Sequence, residues 1–466
     1  MKHFKMGLGL VAGCAIGLPF SSVAWAANDS IVSGRHFRVI CDFEDQNVAE
    51  EAIETAEAIW QIVENSWGME RDVTQKPLTI YLYQTLEAYE AADAKRTGGR
   101  FRENLSFSLH QDKSAHLLVQ PVCAKKTLNL VGLPGLTRVL IAHEAAHLAT
   151  YSMVSNHASH PEWLTEGFAT FVATEALLEK GWMQAVEDDP YSSTMMARAI
   201  RRVTDNRLPP LQDLISGGSK GLHLQDRYAI YWQFFRFMRQ PVRKPELDAI
   251  LKLAQSVKAG AEFKAKFARR VVDQLGGADA VQRLDGEFRQ FVLRSRPKWE
   301  ERYRSTNCLR DRWIQIAFPT KTAMLMATQR IDSRAFRIEG SLEMIENLAR
   351  NSESHVFFGQ GHRGSVTVIF SQEGEVRINR IITAENRTET IGVAKLDGIR
   401  KGSQTSFKVE VSDREIEVFL DGKLRVKAGL KDHDGTVNWG LGTAAGSVTI
   451  WHGVKMTEKG DTKARE

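Results

Sequence analysis

Apolar and polar positions follow two rhythms along this chain, and the change of rhythm divides it. In the first part, short apolar runs alternate with helical periodicity. Residues 35–41 (Arg-His-Phe-Arg-Val-Ile-Cys) and 77–83 (Pro-Leu-Thr-Ile-Tyr-Leu-Tyr) predict strands. Residues 115–122 predict a third, after a turn at Gly98-Gly99. Ala49, Ile53, Ala56, Ile59, Ile62 and Val63 recur on one side of a helix between the first two strands. Residues 135–153 predict another helix, and Pro161 opens a further one that runs to about Glu179. Helices follow over 228–238 and 247–294. From about residue 334 the period falls to two. Residues 336–344, 365–370, 375–382, 407–411, 415–420, 423–426, 437–441 and 448–456 read as strands, with Asp421-Gly422 as a hairpin turn. A small sheet with helices followed by strands and turns predicts an α+β domain and then an all-β sandwich.

The length of 466 residues exceeds what one core holds, in keeping with this division. With 43% hydrophobic and 26% charged residues the chain is globular rather than disordered. The first 26 residues have the pattern of an export signal. Lys2 and Lys5 precede an apolar run from Met6 to Phe20 that is short for a membrane span, and Ala24-Trp25-Ala26 is a small-x-small cleavage site. A second reading of the same segment is a lipobox, Val11-Ala12-Gly13-Cys14, with a lipid anchor at Cys14. The expected location is periplasmic or extracellular, or lipid-anchored at a bacterial surface. No other stretch is apolar enough to span a membrane. Losing Lys2 and Lys5 lowers the formal net charge of +5 by two. So small an excess, with no basic stripe interleaved with aromatics, excludes nucleic acid as the expected partner. Cys41, Cys123 and Cys308 remain. Export permits a Cys41–Cys123 disulfide; three buried thiols are the alternative.

The chemistry concentrates in His143-Glu144-Ala145-Ala146-His147. Two histidines four apart on a helix point the same way and can share a tetrahedral Zn²⁺. Glu144 would stand beside the open coordination position as general base. The flanks, Leu140, Ile141, Ala142, Leu148 and Ala149, suit a buried helix. A catalytic zinc site takes three protein ligands. Glu166, separated from His147 by eighteen residues and set in Trp163-Leu-Thr-Glu-Gly-Phe-Ala169, can return on the second helix as the third. Gly167 permits close helix approach and Trp163 can pack beside the site. His157 and His160 are expected to be solvent-exposed in the connecting loop.

HEAAH followed by this W-L-T-E-G-F-A segment resembles the gluzincin clan of metallopeptidases, and most nearly its peptidase MA-like bacterial branch, over about residues 35–300. The resemblance implies a zincin-type fold with His143, His147 and Glu166 as zinc ligands and Glu144 as general base. It also implies an edge strand lining the cleft, matched here by residues 115–120, so that Leu118, Val119 and Gln120 would pair with an extended peptide substrate. Aminopeptidases of the clan carry G-x-M-E-N upstream, whose Glu holds a free amine. Residues 117–122 lack one, which favours an endopeptidase. The family's oxyanion-stabilising Tyr or His is matched best by Tyr228, with Tyr231 and His223 as alternatives to it. Simple packing in a helical core is the other role open to these tyrosines.

The C-terminal strands resemble the concanavalin A-like, laminin G-like group. The likeness rests on 407–420, the Asp421-Gly422-Lys423 hairpin and Trp439-Gly440-Leu441-Gly442. A glycan or a cell surface is the ligand this implies. Trp439 and Trp451 would either stack on a sugar or fill the core. The expected layout is a signal over 1–26, a gluzincin-like domain over 27–305, a linker over 306–330, a concanavalin A-like sandwich over 331–458 and a loose tail over 459–466. Three functions follow from it: a secreted zinc endopeptidase with an appended adhesion or sugar-binding module, a non-catalytic surface or glycan-binding protein on a peptidase scaffold, and a zinc hydrolase of non-peptide substrates.

Overall fold

The computed structural model describes residues 30–68, 77–101, 104–119, 122–123, 126–127, 135–154, 159–183, 185–187, 189–218, 221–256, 263–302, 306–309, 312–316, 323–328, 331, 333, 335–347, 352–360, 364–382, 385, 387–396, 399, 402–412, 414–430, 437–444 and 447–458. The export segment with Cys14, the tail over 459–466, Gln120, His157 and the side chains of Cys123 and Cys308 lie outside the described residues, and the Cys41–Cys123 pairing with them. The chain divides into two compact units. The first holds the residues up to Val122, Lys126–Val186 and Met195–Arg296; the second holds Cys123–Lys125, Glu187–Thr194 and Pro297–Glu466.

The first unit begins with β1 (Ser30–Ser33), β2 (Phe37–Cys41), α1 (Gln46–Trp67), β3 (Leu78–Tyr83), α2 (Leu86–Thr97), β4 (Ser106–Leu109) and β5 (Ser114–Leu118). Two short strands, β6 (Val122–Cys123) and β7 (Lys126–Thr127), pair with each other. The helices α3 (Gly135–Met153), α4 (Glu162–Glu179), α5 (Pro190–Thr204), α6 (Leu211–Ile215), α7 (Leu224–Met238), α8 (Lys244–Ser256), α9 (Phe263–Gln274) and α10 (Ala278–Arg294) follow. The stretch 247–294, read from its pattern as continuously helical, is thus parts of three helices. The sheet has the order β1-β2-β3-β5-β4, with β2, β3 and β5 parallel and both outer strands antiparallel.

Local chemistry sets the element ends. Asp45 caps α1 by accepting from the Val48 amide at 3.1 Å, and Gly68 ends it in the left-handed region. The buried stripe of α1, from Val48 and Ala52 to Ile59 and Val63, packs on β2, α3 and α4. One sheet face carries an aromatic stack. Tyr81, His116 and Phe107 lie ring on ring at 4.7 Å, and Phe107 stacks on Phe101 at 5.0 Å. Period-two alternation sends Ser106 and Ser108 to the opposite face from Phe107.

His116 is fully buried, with Tyr83 Oη 2.8 Å from Nδ1 and Ser114 Oγ 3.1 Å from Nε2. Burial, assisted by the Arg96 charge, holds its pKa well below the ordinary 6.5. The folded state therefore binds the proton less readily than the unfolded state. Stability is present in full above pH 6.5 and falls as pH drops below it. Urea unfolding of the wild type is expected to show this acid loss, at up to about 1.4 kcal/mol per pH unit for one proton. His116→Phe removes that contribution; an unchanged slope in the variant would refute the assignment.

The second unit is a sandwich of two seven-stranded antiparallel sheets. Its strands are β8 (Trp299–Arg302), β9 (Thr306–Leu309), β10 (Arg312–Ile316), β11 (Ala323–Ala327), β12 (Phe336–Asn347), β13 (Glu353–Gln360), β14 (Gly364–Ser371), β15 (Glu375–Ile382), β16 (Arg387–Lys395), β17 (Thr405–Val411), β18 (Glu415–Leu420), β19 (Lys423–Gly429), β20 (Asn438–Thr443) and β21 (Ser447–Glu458). Their orders are β19-β18-β17-β12-β21-β10-β9 and β16-β15-β14-β13-β20-β11-β8. The expected linker over 306–330 is corrected here: β9, β10 and β11 fall within it and pair with β21, β20 and β8. The hairpin expected at Asp421-Gly422 is present, with φ of 49° and 73° at the two turn residues. Trp439 and Trp451 are core residues. Trp439 packs edge-on against Trp299, and Trp451 against Phe407, with its indole N–H donating to Gln315 Oε1 at 3.0 Å. Neither presents a face for a sugar. Among the described residues, no helix is long and apolar enough to cross a membrane.

Candidate metal centre

The site is built on α3, whose residues from Leu140 to Thr150 are all buried, as expected of a helix apolar on every side. Thr137 in its first turn donates to the Val119 carbonyl at 2.6 Å, fixing the helix start to the end of β5. Arg138 ties it to α1 through Thr55 Oγ1 at 3.2 Å and the Glu51 carboxylate. α4 packs on α3 and α7 packs on α4. A Cβ at Gly167 would meet Phe235 Cδ2 at 2.9 Å and Tyr231 Cβ at 3.0 Å, so this position lets α7 lie close on α4. Asp226, held by Arg198 and Arg202, anchors the first turn of α7 two residues before Tyr228.

These helices bring together three of the residues singled out by the sequence. His143 Nε2 lies 3.0 Å from His147 Nε2, and each lies 3.3 Å from Glu166 Oε2. The three form a buried group with one donor atom apiece. A tetrahedral ion with bonds of about 2.0–2.1 Å has donor–donor edges of about 3.3–3.4 Å, close to this triangle. His143, Glu144, His147 and Glu166 are each at most 2% exposed. Burying an ion costs several kcal/mol unless it is paired. A position that only had to be filled would carry apolar side chains. The donor set, two imidazoles and a carboxylate, fits a small divalent metal ion.

The electrostatics agree. Burial would push the Glu166 carboxyl up, but His147 and His143 outweigh it and hold the pKa well below the usual carboxylate range. His147 is the counterpart: burial pulls its pKa down, and the Glu166 carboxylate raises it above the ordinary value. Tyr228 is buried with its phenol hydrogen-bonded to Glu166, and its ring centroid is 6.2 Å from that of His143. Burial, and then the Glu166 charge, push its pKa well above 10, so it stays a neutral donor. The other two oxyanion candidates go elsewhere. Tyr231 donates to Glu162 Oε2 at 3.3 Å, and His223 caps the exposed start of α7.

Two supporting residues were not singled out in the sequence. Thr170, four residues after Glu166, gives its hydroxyl proton to the Glu166 carbonyl at 2.8 Å. Its oxygen lies 3.3 Å from His143 Nδ1. His143 must then donate from Nδ1, which leaves the lone pair on Nε2, facing the triangle. Spacing could have revealed Thr170, since i and i+4 share a helix face. Ser106 on β4 donates to Glu144 Oε1 at 2.8 Å and fixes the orientation of that carboxylate. Hydrogen bonds to charged groups are worth about 1.5–3 kcal/mol. If Glu144 is a catalytic base, Ser106→Ala is expected to lower kcat by about 10- to 100-fold with KM little changed, and Ser106→Thr to restore most of it. Steady-state kinetics check this, and a change confined to KM would contradict it.

Two expectations are corrected, the substrate-pairing edge strand and the exposure of His160. β5, not an edge strand, lies between β3 and β4. The Leu118 amide donates to the Leu105 carbonyl at 3.0 Å and the Val119 amide to the Tyr83 carbonyl at 2.9 Å. Neither amide is left to bind a substrate backbone. Among the described residues β4 is the last strand on this side. His160 is not solvent-exposed: its ring is buried against Phe263 and Phe267, with Nε2 3.0 Å from the Ala254 carbonyl. Trp163 packs between α4 and α7 against Phe234 and Phe235 and donates to the Ile215 carbonyl at 3.0 Å.

No family model matches the chain, and no curated protein matches it. Solved structures similar to it include the carbohydrate-binding module CBM66 from Bacillus subtilis, at 11% identity over 34% of this chain and 96% of that one, with a TM-score of 0.30. The Emp46p carbohydrate recognition domain in its potassium-bound form is similar at 9% identity over 34% and 88%, with a TM-score of 0.29. Sheep galectin-11 in complex with glycerol is similar at 14% identity over 30% and 100%, with a TM-score of 0.23.

Proposed function

We propose that the first unit is a zinc-dependent hydrolase that cleaves peptide bonds within protein chains. The observation that supports this most is the buried triangle of His143 Nε2, His147 Nε2 and Glu166 Oε2, with Glu144 next in the chain to His143. Two nitrogens and one oxygen at tetrahedral spacing suit zinc, with three protein ligands as in catalytic sites. When bound, zinc lowers the pKa of water and polarises a carbonyl. Glu144, oriented by Ser106, accepts the proton of the attacking water and passes it to the leaving amine. Tyr228 donates a hydrogen bond to the oxyanion as it develops. Thr170 keeps His143 in the tautomer that presents Nε2. β4, beside the site through Ser106, is the strand along which an extended substrate would run. No carboxylate stands on β5 to hold a free amine, which favours internal cleavage.

The test is incubation of the purified protein with casein and a peptide library, with products read by mass spectrometry and metal by elemental analysis. About one zinc per chain and internal fragments are expected. Release of single N-terminal residues would overturn the endopeptidase reading, and a zinc-loaded protein that cleaves no peptide would overturn the peptidase reading.

A second reading is that the chain binds glycans through its sandwich, with or without catalysis in the first unit. A polar depression on the outer face of one sheet favours it. CBM66 and the Emp46p domain are named for carbohydrate binding.

A further inference from the structure

The sheet β19-β18-β17-β12-β21-β10-β9 carries on its outer face a depression of about 690 Å³. Ligand sites commonly occupy about 300–1,000 Å³. Its floor arises from a slip in register. Glu339 pairs with Lys455 but Ser341 pairs with His452, so β21 holds one residue more than β12 across this step. Gly453 sits there at φ +53°, and a Cβ on Gly340 would come within 2.9 Å of the His452 carbonyl oxygen and of Val454 Cγ2. Gly453 is exposed and carries no side chain, so bare backbone forms the floor there, while Gly340 belongs to the inward-facing set with Ile338 and Leu342.

The walls follow from strand register. Phe419, Lys408, Glu339 and Lys455 form one row across β18, β17, β12 and β21. Ser406, Ser341 and His452 form the next. The first row begins with a half-buried aromatic ring, over which Lys408 Nζ lies 3.9 Å from the centroid. The second offers two hydroxyls and an imidazole, which both donate and accept. Of the charged groups, Lys455 is 3.0 Å from Glu339. Lys408 reaches Glu410 at 3.3 Å, but that carboxylate also takes Arg337 at 2.7 Å. Among the lining residues themselves two ammonium groups stand against one carboxylate, with Glu410 beside Lys408 and Glu343 3.6 Å from His452 at the margin.

A ring with an apolar face, a crown of hydroxyls and a negative group complements this set. We infer that the depression binds an acidic saccharide, a short uronic-acid oligomer being the class that fits. The ring stacks by Phe419, its carboxylate meets Lys408, and its hydroxyls exchange hydrogen bonds with Ser341, Ser406 and His452. This rests on the glycan-binding reading above and gives it a place and a charge preference.

The test is calorimetric titration of the full-length protein with hexagalacturonate and with cellohexaose, each at low and high salt. Wild type is expected to bind hexagalacturonate more tightly, with affinity falling as salt rises. Phe419→Ala and Lys408→Ala are each expected to weaken binding at least 10-fold, and Lys408→Ala also to flatten the salt dependence. Both side chains stand on the outer face, and far-ultraviolet circular dichroism verifies the fold of each variant. Unchanged affinity in both variants would overturn this location while leaving the glycan-binding reading intact. Preference for cellohexaose would overturn the acidic class. Binding of neither probe would overturn the inference and the glycan-binding reading together.

Discussion

With zinc bound as proposed, Glu144→Gln is expected to keep the metal and lose about 10²- to 10⁴-fold in kcat, the range that general-base catalysis supplies. The substitution preserves shape and the oxygen that accepts from Ser106, but an amide cannot take a proton from water. Glu144 is buried on α3 next to His143 and outside the donor triangle, so metal content should not change. Zinc analysis of the variant beside its steady-state kinetics checks both halves. A variant that cleaves peptides at the wild-type rate would remove Glu144 from the mechanism. A variant that loses zinc would make it a ligand.

Glu166→Ala is expected to weaken zinc binding by well over the ~10- to 100-fold typical of losing an outer-shell partner, because it removes one of three donors. The two imidazoles would remain, 3.0 Å apart. His147, whose pKa is raised by the Glu166 carboxylate against the effect of burial, would lose that opposing charge and titrate lower. Competition against a chromophoric chelator measures the affinity. Retention of wild-type zinc affinity would show that the third ligand lies elsewhere.

Where a single element carried a full period, its residues could be read from the chain. The helix α1 shows its buried stripe over 22 residues, and the Asp421-Gly422 turn demands positive φ at both positions. The pairing of His143, His147 and Glu166 was legible for a similar reason: i, i+4 spacing fixes two donors, and a short connection limits where the third can come from. What depends on contacts remote in sequence was not legible. β4 has four residues, Ser-Phe-Ser-Leu, too few to show a period, and its pairing displaced β5 from the sheet edge. With β4 went Ser106, which meets Glu144 only across 38 positions. His160 finds its partner, the Ala254 carbonyl, 94 positions away. β11 reads Ala-Met-Leu-Met-Ala, with no β-branched residue to mark a strand, and β16 is largely exposed, without an apolar alternation. Those two strands, with β8 to β10 and β13, are what turned an expected eight-strand sandwich with a linker into two seven-stranded sheets.

The proposed hydrolytic zinc centre is tested most directly by removing metal from the wild-type protein and returning it. Dialysis against a chelator is expected to abolish cleavage of casein, and one equivalent of zinc per chain to restore it, in proportion to zinc bound. Full activity in the metal-free protein, or a protein carrying one zinc per chain that hydrolyses nothing, would contradict the account.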